Sequence, residues 1–131
     1  MTRALEMFAV IQLTLVGLSH VVHHRRWAAF FIGLRGPGYG GVFVHGFLSL
    51  GLGAMILAFH RVWSGMPLVL TIVGVLYLMK TAQCFLLPGV SLRSLERVTL
   101  ERSRVFIGVG VLFLAIALAT TIDLVRGIPT M

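Results

Sequence analysis

Lysine occurs once in this chain, at Lys80, inside a long apolar run. An ammonium at the centre of a bilayer costs about 2.5–3.5 kcal/mol to insert. Snorkelling along the four-carbon stem lowers that cost without removing it. Tyr77, Lys80, Thr81 and Cys84 recur at i, i+3, i+4 and i+7, with Gln83 alongside, so one face of a helix here is polar. Lipid offers that face no hydrogen bonds, and it is expected to turn towards the bundle, a cavity or a partner. The acids are Glu6, Glu96, Glu101 and Asp123. Glu6 and Asp123 belong near one surface and the other two lie in a connection at the opposite one, so none is expected at the depth of Lys80. The lysine is then either uncharged and bonded to carbonyls and hydroxyls, or matched by an anion from outside the chain. A substrate, a lipid phosphate or a carboxylate on another subunit would serve.

Histidine is the second candidate for chemistry. His20 and His24 share a helical face at i, i+4, the spacing that lets two imidazoles meet one metal ion. His20 with His45, expected at similar depth, could form an axial pair for haem. Against this stands the ordinary use of histidine at a helix end, where it offsets the C-terminal dipole or meets phosphate head groups. His45 also shares a face with Ser49 and Gly53, as a packed interfacial histidine would. The expectation is therefore no cofactor, with haem or a metal as the alternative.

No His-Glu-x-x-His, Gly-x-Ser-x-Gly or phosphate-binding glycine loop is present. Gly36-Pro37-Gly38-Tyr39-Gly40-Gly41 is glycine-rich, but it has neither the lysine nor the strand of a nucleotide loop. The single cysteine, Cys84, can form no disulfide within the chain and lies away from an aqueous face. An enzyme is not expected. Small residues speak for close helix packing instead, at Ser49-x-x-x-Gly53 and at Ala115-x-x-x-Ala119.

The elements that must position these residues follow from composition. Of 131 residues, 58% are hydrophobic and 11% charged, against roughly a quarter charged in soluble domains. Stretches 7–24, 36–60, 62–79 and 105–122 carry no Asp, Glu, Lys or Arg. One soluble domain of this length could not bury four such runs, and disorder or a disulfide scaffold is excluded as well. The expected fold is an all-α integral membrane protein forming one domain over 1–131. Its four transmembrane helices cover about 4–22, 42–60, 67–87 and 105–124, each long enough to cross a hydrocarbon core. The first is expected to be retained, since Glu6 interrupts its start and Ser19-His20-Val21-Val22 offers no cleavage site. Lys80 then stands about eight residues, roughly 12 Å, from the end of the third span and near the midplane.

The three connections differ. The second is short and followed by Pro67, which suits a first helical turn and makes spans two and three a tight antiparallel pair. In the first, Trp27, Phe30, Phe31 and Leu34 form an apolar face at i, i+3, i+4 and i+7. In the third, Pro88-Gly89 is expected to stop the membrane helix and Ser91 to cap a new one. There Arg93, Arg97, Glu101 and Arg104 make a polar stripe opposite Leu92, Leu95 and Val98. Both segments are expected to lie along the interface as amphipathic helices. Span, interfacial segment, span thus occurs twice, as in two duplicated helical hairpins.

The net charge of +7 would point to nucleic acid in a soluble protein, but here the basic residues sit in short connections beside lipid head groups. The long connections hold seven Arg, at 25, 26, 35, 93, 97, 102 and 104; the other side holds Arg3, Arg61 and Arg126. Seven against three orients the long connections to the cytoplasm and the termini outside. The pattern is that of a small bacterial inner-membrane protein. Its partners are expected to be the bilayer and other membrane subunits or further copies of itself, not nucleic acid. The leading functional expectation is a non-catalytic accessory subunit of a homo-oligomer or larger complex. The alternatives are a small oligomeric channel or transporter using Lys80 for an anion or proton, and a haem- or metal-binding protein using His20 and His45.

Overall fold

The computed structural model describes residues 2–127, and they fold as six helices with no strand among them. They are α1 (Thr2–Val22), α2 (His24–Gly33), α3 (Tyr39–Phe59), α4 (Leu68–Leu86), α5 (Pro88–Glu96) and α6 (Arg104–Arg126). Helices α1, α3, α4 and α6 are each long and apolar enough to cross a membrane. Their bounds fall within three residues of those expected, because the charge-free runs mark them. The short α2 and α5 lie in the two long connections.

The helix breaks were harder to foresee. Between α1 and α2 the chain turns at His23, which takes φ −114° and ψ 33°, with neither Gly nor Pro to announce it. Pro88 does not simply stop the third span. It is the first residue of α5, where its missing N–H is one the helix would leave unpaired anyway. The break falls at Leu87 (φ −129°, ψ 56°), and Ser91 is a buried residue inside α5, not its cap. Helix α5 also ends at Glu96, so Glu101 and Arg104 do not extend its polar stripe: Glu101 sits in a turn and Arg104 opens α6. At the start of α3, Gly38 takes φ +60°, a left-handed conformation that side-chain-bearing residues rarely adopt.

The four spans pack as two pairs. Helix α1 runs along α6 and α3 along α4, whereas α1 with α3 and α4 with α6 touch only slightly. Lipid is as apolar as a leucine face, so close approach of backbones decides which helices pair. In α3–α4 a Cβ on Gly53 would stand 3.0 Å from the Tyr77 Cβ, and one on Gly46 2.9 Å from the Cys84 Cβ. In α1–α6 the crossing is at Gly17 and Gly110, where a Cβ on Gly110 would meet the Gly17 carbonyl oxygen at 2.6 Å. Ala115 faces outward and Ala119 is half-buried, so the small-residue pair expected on the fourth span is not what lets α6 approach α1.

There are two apolar clusters, of which the larger joins the pairs. The larger draws Ala9 and Leu13 from α1, Leu52 and Ile56 from α3, Leu70 and Val73 from α4 and Ala117 from α6. The smaller lies under the short helices, where Val42, Cys84 and Leu95 are buried against Phe31, Leu34 and Leu92.

Candidate functional site

Between the small cluster and the level of Tyr77 the bundle opens into a chamber of about 300 Å³. Its polar wall is made by His45 of α3, Lys80 and Gln83 of α4, and Ser91 and Ser94 of α5. Phe31 and Phe106 close it with stacked rings whose centroids are 5.4 Å apart. Helix α4 supplies Lys80 and Gln83 three residues apart on one face, and α5 crosses its end because Pro88 restarts the helix after the Leu87 break.

Lys80 stands six residues, about 9 Å, from the end of α4. That is nearer the head groups than expected, because the helix stops at Leu86. It has a substantial exposed surface, and no carboxylate lies in salt-bridge range of it among the described residues. The expected polar stripe divides in two. Thr81 is buried and donates to the Tyr77 carbonyl at 2.9 Å, with the Gly46 carbonyl at 3.4 Å. Cys84 is buried against α3. These two serve the α3–α4 contact, and Cys84 also lines the chamber that Lys80 and Gln83 face. Tyr77 packs against the larger apolar cluster. With Lys80 it also lines a second opening, a groove between α4 and α6 walled by Val73, Leu76, Leu112, Phe113 and Ile116.

The histidines are dispersed. His20 is buried, donates from Nδ1 to the Val16 carbonyl at 2.8 Å and stacks on Trp27 with centroids 4.1 Å apart. His24 bonds from Nδ1 to the Ser103 hydroxyl at 3.0 Å, on the far side of the His23 break. The break ends the continuous helix on which i, i+4 spacing depends, so His20 and His24 do not share a face. His20 and His45 do not face one another either. Phe106 lies 6.0 Å from His20, Phe31 lies 5.0 Å from His45, and these two phenyl rings fill the space between the imidazoles. Ser49 is buried and donates to the His45 carbonyl at 3.1 Å.

The apolar face of α2 turns mostly to protein. Trp27 donates from Nε1 to the Ser19 hydroxyl at 3.0 Å, Phe31 stacks on Phe106, and Leu34 joins the smaller cluster; Phe30 is exposed. Arg93, Arg97 and Arg104 are exposed. Arg35 is placed differently from the other arginines. Its guanidinium donates to the carbonyls of Glu96 and Val98, joining the end of α2 to the end of α5. A cation there complements the carbonyls a helix C-terminus leaves free.

A second polar group lies at the opposite end of the bundle. His60 is fully buried, with Nε2 3.0 Å from Glu6 Oε1 and Nδ1 3.1 Å from Thr71 Oγ1. Thr71 spends its hydroxyl hydrogen on the Val62 carbonyl at 2.7 Å, so the Nδ1–H of His60 must be the donor to Thr71. The Glu6 contact then needs a proton between carboxylate and imidazole. Glu6 is buried too, and no opening reaches the Thr71 oxygen, which argues for a structural tie between α1, α3 and α4 rather than a nucleophile. The sequence signal for it is that Glu6 opens the first span and His60 ends the second, which puts both at one surface.

No family model, curated protein or solved structure matches the chain.

Proposed function

We propose that the protein is a non-catalytic accessory subunit of a homo-oligomer or larger complex in a bacterial inner membrane, and that its chamber receives an anionic group from outside the chain. The observation that carries this is Lys80: a lysine within a span, lining an open chamber, with no carboxylate in range among the described residues. A cation in that setting gains most from an anion brought by something else. The larger apolar cluster fills the centre of the bundle beyond Tyr77, leaving little room for a solute path through one chain.

The finer architecture belongs to the same reading. Helices α2 and α5 lie at the cytoplasmic interface with Arg93, Arg97 and Arg104 towards the head groups, and the termini are outside. The chain is a duplication of span, short helix, span. Its two units are exchanged: α1 of the first pairs with α6 of the second, and α4 of the second with α3 of the first, as a two-fold relation between units requires.

Mild-detergent purification with mass measured by light scattering tests the assembly. The expected result is a stoichiometric species of several copies or several subunits, shifted towards the single chain by Lys80→Met. A lone 14.3 kDa chain in every mild detergent overturns the reading.

A further inference from the structure

We propose that the chamber and the groove beside it form one binding site for a membrane phospholipid, with the phosphate held at Lys80 and an acyl chain laid between α4 and α6. The proposal rests on the reading that Lys80 takes an anion from outside the chain, and it names that anion.

Lys80 lines both spaces, so this residue marks the junction of a polar chamber with an apolar groove. That is the shape of an amphiphile. On the chamber side, Lys80 offers three N–H donors, Gln83 an amide NH₂ and Ser91 and Ser94 a hydroxyl each, and no carboxylate lines the wall. So many donors suit the oxygens of a phosphodiester better than the two of a single carboxylate. On the groove side, Val73, Leu76, Leu112, Phe113 and Ile116 supply an apolar track.

Depth agrees with this source. The Lys80 backbone is about 9 Å inside the end of α4, and its stem can bring the ammonium several ångströms closer to the phosphate layer. A second copy of the chain is a poorer donor of the anion. Its Glu6 is already engaged by His60, Glu96 and Glu101 lie exposed beyond the spans, and Asp123 is near the opposite end. Free phosphate could satisfy the chamber but would leave the groove without an occupant.

The test uses the full chain in maltoside micelles titrated with dioleoylphosphatidylglycerol, with bound lipid counted by native mass spectrometry. One lipid per chain is expected, with affinity reduced about tenfold or more in Lys80→Met, as loss of a charge-assisted hydrogen bond implies. Lys80→Arg should retain binding, and Leu112→Trp, which fills the groove and leaves Lys80 in place, should weaken it. Should Lys80→Met aggregate, Leu112→Trp carries the comparison. Equal binding by a folded Lys80→Met variant overturns the proposal. So does equal competition by dioleoylglycerol, which lacks the phosphate. Inorganic phosphate displacing the lipid, with no effect of Leu112→Trp, would make this a free-anion site and overturn the lipid assignment. An unmodified protein that assembles but binds no lipid rejects this inference alone; a lone chain that still holds the lipid rejects the accessory-subunit reading alone.

Discussion

The contact of Glu6 with His60 holds a carboxylate of α1 and an imidazole just past the end of α3 out of water, with Thr71 of α4 and the Val62 carbonyl completing the chain of bonds. Removing one member of such a buried set strands the others, at a cost of about 3 kcal/mol or more. His60→Leu is accordingly expected to lower unfolding stability in detergent by that order, while Arg61→Ala, on the exposed neighbour, should stay within about 0.5 kcal/mol. The double variant Glu6→Leu with His60→Leu should cost less than the sum of the two single changes, since neither partner is then left alone. Additive losses in that cycle would show that the two groups do not interact. Lys80 presents the opposite case. Its residue type and approximate depth were legible in the sequence, and its lack of a nearby acid followed from where the four acids fall. The groups beside it were not legible, because Ser91 and Ser94 reach it only after Pro88 starts a helix that turns back beneath α4.

At the level of helices, pairing is decided where backbones can come closest. Gly110 is the tightest such point on α6: a Cβ there meets backbone at 2.6 Å, which no side-chain rotation relieves. Gly110→Val is expected to part α1 from α6 and lower stability by about 1–3 kcal/mol. Gly108→Ala, with nothing within 4 Å of the added carbon, should be neutral or slightly stabilising through helix propensity. Thermal unfolding followed by circular dichroism in one detergent compares them, and equal losses would disprove the crossing at Gly110. A related approach joins α2 to α3, where a Cβ on Gly41 would collide with the Leu34 carbonyl. Gly41→Ala must therefore shift the end of α2, and with it the Phe31 ring that closes the chamber; looser lipid retention than wild type is the expected readout. Gly53 lies against α4 with Ser49 buried one turn before it, whereas Ala115, with equally suitable spacing to Ala119, faces outward. Spacing says that a face is small, and the azimuth of the helix says whether another helix uses it.

The whole molecule is two helix pairs leaning together, and both the chamber and the groove exist because they lean rather than interlock. Its orientation in the membrane is open to a direct test. With Cys84 replaced by Ala, a cysteine introduced by Ser64→Cys should react with a membrane-impermeant maleimide added to intact cells, and one introduced by Arg97→Cys only after permeabilisation. The reverse pattern would contradict the seven-to-three arginine asymmetry as a guide to orientation.

The four spans, their near-exact limits and the two short helices could be read from one dimension. Hydrophobic length and charge-free runs are properties of contiguous chain, and the bilayer imposes the same requirement on every segment. Partners of side chains are properties of rotation about helix axes and of which helices pair, and these depend on atoms far apart in sequence. That is why Glu6 meets His60, why His20 and His45 are parted by Phe31 and Phe106, and why Arg35 spans to the end of α5. Composition determined the solvent and the number of crossings; only packing decided which polar groups found each other and which, Lys80 among them, were left facing the chamber.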